Sequence, residues 1–240
     1  MRVHQIKSQR ETSKKAVHRD SIGGYPVLAQ DQEWPVCGLC RTKLVLFFQL
    51  DLQKKFDLPL KSGSHLSVFM CPIHNDAPSD SITENDQLPE EYWTKTYGHY
   101  RLIMNHPRLK EGARAAEPDQ FLTHQQLEFV QLEEEIDWDG VVERGIVGFK
   151  VGGVPSWRDT PEYNRCACGA EMIFVCEIPA EYPFLKTDSA PVQPDGLSRS
   201  AYHLFLGLET YIFVCKDICT PNSLWAVSQA VAPKELELLR

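Results

Sequence analysis

A short unit occurs twice in this chain, and the repetition constrains the fold more than any other feature. Residues 23–40 read GGYPVLAQDQEWPVCGLC, and residues 152–168 read GGVPSWRDTPEYNRCAC. Laying Gly23 on Gly152 puts Pro26 on Pro155 and Cys37 on Cys166. A Gly-Gly-x-Pro turn thus precedes a cysteine pair by the same interval in both copies. The second pair has lost one residue, Cys-x-x-Cys becoming Cys-x-Cys. Beyond it, RTKLVLFFQLDL from Arg41 matches GAEMIFVCEIPA from Gly169, so Leu44 falls on Met172 and Leu46 on Phe174. Each copy closes with a second apolar run ending in cysteine, HLSVFMCPIH at 65–74 and LETYIFVCKDIC at 208–219. Agreement in turn, spacing, apolar run and closing residues implies an internal duplication, with halves at about 17–76 and 145–225. Each half is too small to bury much apolar surface alone, so the two are expected to share one core.

The apolar runs read as strands. They are short, rich in Val, Ile, Phe, Tyr and Leu, and bounded by Gly, Pro, Asp and Asn. Simple alternation places Leu44, Leu46, Phe48, Leu50 and Leu52 on one core-facing side, and Met172, Phe174, Cys176 and Ile178 on its counterpart. Cys176 then takes the place of Phe48 and reads as a small buried apolar residue. Gln49 and Glu177 correspond on the other, half-covered face. They are either hydrogen-bonded strand residues or, with Trp34 and Trp157, candidates to line a partner-binding groove. The fold class expected is mainly β, a pseudo-two-fold arrangement of antiparallel sheets. The connecting segment 77–144 holds one strand in TYGHYRLIMN and a second, with a helical start, in LTHQQLEFVQLEEEI. The basic stretch 1–16 reads as a flexible arm, with Arg2, Lys7, Arg10, Lys14 and Lys15, and residues 226–240 read as a tail.

Seven cysteines remain once Cys176 is set aside. Cys37 and Cys40 precede Cys71 and His74, a set of three thiolates and one imidazole. Cys166 and Cys168 precede Cys215 and Cys219, a set of four thiolates. These are tetrahedral ligand sets, and zinc suits them, with two structural ions expected. Iron competes for the all-cysteine set, and free thiols are the plain alternative. A thioredoxin-like reading of WPVCGLC needs a helix after the cysteines, whereas the residues after Cys40 alternate like a strand. The glycines make a poor phosphate loop, because no helix follows them. His65 and His203 open the second apolar runs and read as strand-edge residues or supports for a site. No GxSxG, HExxH or Walker motif is present.

The net charge of −8 opposes general nucleic-acid binding, which needs clustered cations. No apolar run approaches a membrane span, and the N-terminal stretch lacks the apolar segment of a secretory signal, so a cytoplasmic location without disulfides is expected.

The stretches GFKVGGVPSW at 148–157 and SIGGYPVLAQ at 21–30, with the cysteine pairs, FFQLDL and VFMCPIH, resemble the YwqG-like family, a mainly bacterial group of unassigned function. More distantly, HLSVFMC after Gly-Gly-x-Pro and a cysteine pair is similar to the programmed cell death protein 2 family. The resemblance implies a β-rich, pseudo-two-fold domain and one of two stoichiometric roles, a dedicated chaperone or an immunity protein that neutralises a toxin. The expectation is a non-enzymatic, zinc-stabilised chaperone or adaptor whose protein partner is basic, matching the acidic chain. An enzyme of unknown chemistry is the third reading.

Overall fold

A computed structural model describes residues 1–10, 18–29, 32–78, 83, 86–94, 98–105, 117–194 and 197–231. Lys14, Lys15 and most of the loop at 105–120 lie outside them, as do residues 232–240 of the expected tail. Fourteen strands follow in chain order: β1 (Arg2–Arg10), β2 (Ser21–Ile22), β3 (Val45–Asp51), β4 (His65–Met70), β5 (Tyr100–Asn105), β6 (Gln125–Glu133), β7 (Asp137–Trp138), β8 (Glu143–Arg144), β9 (Lys150–Gly152), β10 (Met172–Ile178), β11 (Phe184–Leu185), β12 (Ala201–Tyr202), β13 (Glu209–Cys215) and β14 (Leu224–Gln229). Among the described residues the only helical elements are three short 3-10 turns, and no helix is long and apolar enough to cross a membrane.

Ten strands form one antiparallel sheet in the order β14-β13-β10-β9-β1-β6-β2-β3-β4-β5. Its two ends meet: β5 contacts β14, and the Met104 N–H donates to Pro221 O at 2.7 Å. The sheet is therefore nearly closed, which protects edges that would otherwise offer unpaired backbone. Outward from the centre, β6 is followed by β2, β3, β4 and β5, and β1 by β9, β10, β13 and β14. The two central strands are exchanged. β1 precedes β2 in sequence but lies beside β9, whereas β6 precedes β9 but lies beside β2.

The expected flexible arm is therefore corrected. Residues 2–10 form a central strand, paired with β6 over its full length and with β9 from Val3 to Gln5. Its polar composition concealed it, because few of its side chains enter the core. Two further segments expected to be strands are found as β5 and β6, but the helical start expected before β6 is absent, residues 122–124 being non-helical. The second half extends past 225, since β14 runs to Gln229.

Simple alternation fails in β3 and β10, and for the same reason in both. The register shifts between Leu46 and Phe48 and again between Phe174 and Cys176. A bulge puts an extra residue on one strand and turns the following side chains to the opposite face. Val45, Phe47, Phe48 and Leu50 enter the closed interior, as do Val175, Cys176 and Ile178. Leu44 and Leu46 instead face outward with Phe69, Cys71 and Ile103. Met172 and Phe174 face outward with Trp157, Tyr211 and Phe213. The single interior core combines side chains from both halves, among them Leu66, Val68, Ile212 and Val214, as expected. β11 and β12 add Phe184 and Tyr202, which pack on Phe47 at ring-centroid distances of 5.0 and 6.3 Å.

Each outer cluster takes in side chains of a strap, the segment that follows a Gly-Gly turn and precedes a cysteine pair: Leu28 and Trp34 among the described residues of the first, and Trp157 of the second. These two straps begin at glycines with positive φ, Gly23 and Gly24 at 58° and 81°, Gly152 and Gly153 at 75° and 73°. Only glycine adopts such angles without strain. Space is also lacking, because a Cβ on Gly153 would lie 2.3 Å from Glu134 Oε2, and one on Gly24 would lie 2.8 Å from the His124 ring. Gly153→Ala should therefore cost about 3 kcal/mol of unfolding free energy, strain and clash together. Gly140→Ala, with positive φ but open space, should cost about 1 kcal/mol. Urea unfolding of the two variants measures the difference.

Candidate metal centres

Both ligand sets expected from sequence converge. The sulfur and imidazole atoms of Cys37, Cys40, Cys71 and His74 lie within 4.8 Å of one another, and so do the sulfurs of Cys166, Cys168, Cys215 and Cys219. Local backbone geometry explains each pair. In the first centre the Cys37 N–H donates to Thr42 O and the Arg41 N–H returns to Cys37 O, a tight turn that aims two thiols the same way. In the second, the Cys166 N–H donates to Ala170 O and the Gly169 N–H to Cys166 O. Cys71 and Cys215 stand at the ends of β4 and β13, adjacent to these turns. The shorter Cys-x-Cys of the second centre faces a longer Cys-x-x-x-Cys, so the missing residue on one side is regained on the other.

The distances match a bound tetrahedral ion. Zinc–sulfur bonds of about 2.3 Å and zinc–nitrogen bonds of about 2.0 Å require S···S edges of about 3.8 Å and S···N edges of about 3.5 Å. The first centre has Cys40 Sγ to Cys71 Sγ at 3.7 Å, and His74 Nδ1 at 3.5 Å from both Cys37 and Cys71. The second has Cys166 to Cys219 and Cys168 to Cys215 at 3.6 Å each. None of the eight cysteines is in a disulfide. Burial opposes ionisation of Cys40, but bonds from the Thr42 hydroxyl and N–H, with Cys37 and Cys71, bring it down to about 6, toward the thiolate a metal needs. Cys37 and Cys71 are buried, whereas Cys168 and Cys219 are exposed. The residues present fit zinc at both positions. Cys176 lies apart in the interior core, where burial pushes its thiol up.

Of the two readings of Gln49 and Glu177, hydrogen-bonded strand residues are found, and the partner-binding groove with Trp34 and Trp157 is corrected. Gln49 and Glu177 are fully buried and Trp157 is 1 % exposed. The straps cover the face that sequence left half open. Gln49 Oε1 accepts the Val27 N–H at 3.0 Å, and its Nε2 donates to Tyr25 O at 2.9 Å and Ser21 Oγ at 3.1 Å. Glu177 accepts the Ser156 N–H at 2.9 Å, the Ser156 hydroxyl at 3.0 Å and the Gly148 N–H at 3.1 Å. Both side chains hold the strap just after its turn, so neither offers a partner a surface. Burial, with Glu209 nearby, raises Glu177 to about 8 despite Lys150. Trp34 alone of the four stays half-buried, its Nε1–H donated to Leu44 O at 2.7 Å.

Two further braces escaped the sequence reading. Asn105 Oδ1 accepts from Gln32 Nε2 at 2.7 Å, and its Nδ2 donates to Val27 O at 3.3 Å. Gln229 Oε1 accepts the Arg158 and Asp159 N–H groups at 3.0 Å, and its Nε2 donates to Thr160 O at 2.9 Å. Their one sequence signal is a lone amide closing an apolar strand, YRLIMN and LWAVSQ. A buried ion pair secures the second strap's start. Lys150 Nζ donates to Glu134 Oε1 at 2.7 Å and to Val154 O at 2.6 Å, while Glu134 Oε2 accepts the Val154 N–H. Breaking such a pair leaves an uncompensated buried charge.

His65 is a support and not a ligand. Its Nδ1 lies 2.8 Å from Asp51 Oδ1 and its Nε2 lies 3.2 Å from Gln49 Oε1. Arg19 forks onto both oxygens of Asp51 at 2.7 Å. Burial works to raise Asp51, but the bonds from His65 and Arg19 win and hold it at about 2. A carboxylate with a depressed folded pKa contributes stability above its ordinary pKa and loses it as pH falls through the folded one. Asp51→Asn should therefore cost about 2 kcal/mol at pH 7. The gap from the parent should close between about pH 4 and pH 2, as urea unfolding at several pH values will show.

Comparison with protein-family models finds no match to this chain, and comparison with curated proteins finds none either.

Proposed function

We propose that this chain is a non-enzymatic protein-binding module, held together by two structural zinc ions, that serves as a chaperone or adaptor for a basic protein. One observation carries the reading: two clusters of four Cys or His side chains, each able to hold one ion, converge where a strap ends. Four protein ligands fill a tetrahedral ion's coordination, which is the pattern of structural sites, whereas catalytic ones keep a position for water or substrate. The net charge of −8 favours a basic partner by complementarity. The resemblance to the YwqG-like and programmed cell death protein 2 families supports a stoichiometric role. The two halves are read as copies of one unit, and the symmetric strand order, the two matching bulges and the paired braces Gln49 and Glu177 support that reading.

Protein purified without chelator should carry about two zinc ions per chain by elemental analysis, one for each four-ligand set. Iron would colour the protein. A strong chelator should release the straps, and Trp157, now buried, should shift to the red in fluorescence. Folded, metal-free protein with an unshifted spectrum would refute the structural role. Pull-down from the native cell should recover one dominant basic protein at equal stoichiometry. A toxin in that position would make the chain an immunity protein, and turnover of a small molecule would make it an enzyme.

A further inference from the structure

Beside the first metal centre a cavity of about 280 Å³ opens at the surface. Trp34, Pro72 and Phe121 form apolar walls, and Lys43, Glu117 and Asp119 line the remainder. Lys43 occupies it in a particular way. Its ammonium lies 5.2 Å from the centre of the Trp34 ring and 3.7 Å from Glu117 Oε2. An aromatic face and a carboxylate together make a seat for a cation. The Trp34 ring is fixed by its bond to Leu44 O and by edge contact with Phe69 at 6.3 Å. Asp119 adds a second carboxylate, anchored by the N–H groups of Phe121 and Leu122 at 2.9 Å and of Leu46 at 3.1 Å. Lys43 and Glu117 are both mostly exposed, at 62 % and 66 %, so their pairing is weak and screened. The cavity therefore sets one exposed carboxylate, Glu117, against one loosely held lysine, while Asp119, its pKa raised by burial and its oxygens already bonded to three N–H groups, forms part of the wall.

We infer that this cavity receives a lysine or arginine side chain of the basic partner, with Lys43 as a placeholder that the incoming cation displaces. The apolar walls take the aliphatic stem, Trp34 takes the charged head, and Glu117 pairs with it. Ile73, next to Pro72, and Leu39, between the first two ligands, are exposed at 43 % and 51 % and give apolar flanks for the partner's neighbouring residues. The inference rests on the basic-partner reading above and assigns it a surface. It also explains why Trp34 stays accessible while Trp157 does not.

The test uses the full-length, zinc-loaded protein and a fluorescein-labelled Gly-Leu-Arg-Leu-Gly peptide, read by fluorescence polarisation. The arginine peptide should bind, and the same peptide with glutamate for arginine should not. Lys43→Ala should tighten binding about three- to tenfold, because the competing cation is gone. Glu117→Gln and Trp34→Ala should each weaken it by a similar factor. Trp34→Phe, which keeps a ring, should retain part of the affinity if the alanine variant folds poorly. Lys55→Ala is the charge-matched control, since Lys55 lies over Phe56 and Phe129 and does not line the cavity. Equal tightening by Lys43→Ala and Lys55→Ala would mean bulk charge alone and would overturn the site. Equal binding of an all-leucine peptide, or self-association that Glu117→Gln abolishes, would replace the proposed occupant and also overturn it. Should a basic partner be captured equally well by Glu117→Gln, the site fails and the functional reading stands. Should no basic partner exist, the functional reading fails whatever the peptide does.

Discussion

Nine consecutive residue pairs join β1 to β6, from Arg2–Glu133 to Arg10–Gln125. This ladder is the link that makes one sheet of two five-stranded halves. β1 brings the start of the chain to β9 of the second half, and β6 brings the second half to β2 of the first. Each half is thus completed by a strand that precedes the other half in sequence. Without the ladder both halves would present long unpaired edges, and the shared interior would open to water. Its strands gain from position what their composition lacks, since β1 and β6 pair with each other over nine residues and each also meets a second strand.

The second level of organisation is the covering of the sheet's outer face. A loop laid over a sheet must find partners for its backbone polar groups. Gln49 and Asn105 supply them for the first strap, and Glu177 and Gln229 for the second. The braces act at the beginning and middle of each strap, and a Cys or Cys/His cluster gathers at its end. Apolar side chains beneath, such as Phe69 in one half and Trp157 and Phe213 in the other, then pack in small outer cores that are separate from the interior. The two halves differ in how they pay for their polar groups. The first uses a neutral amide beside the Asp51–His65–Arg19 chain, while the second buries a carboxylate near Lys150 and Glu209.

The two clusters that could hold metal ions were legible in the sequence almost entirely. Thiolates and imidazole at close spacing carry their chemistry wherever the chain places them, so the eight ligands could be paired before any coordinates. The Gly-Gly turns were legible for a similar reason, because positive φ is a local demand. The half-covered face was misread. Gln49 and Glu177 admit a hydrogen-bonded or a groove role when only their own strand is considered, and the straps folding back over them decide for braces. The alternation in β3 and β10 was misread too, since a bulge is fixed by the partner strand's register and leaves no mark in the apolar run.

The sequence by itself determined the mainly β class, the Gly-Gly turns and the two sets of four Cys and His side chains. These follow from side-chain chemistry and backbone preference over a few residues. Tertiary structure alone decided that the polar N-terminal stretch is a central strand, which faces the bulges turn inward, and which amides hold the straps. It also decided that Trp34 and Lys43 stand at a cavity while Trp157 is sealed beneath its strap. Each of these depends on which distant segment lies alongside, and burial and register are properties of the pair and not of either segment.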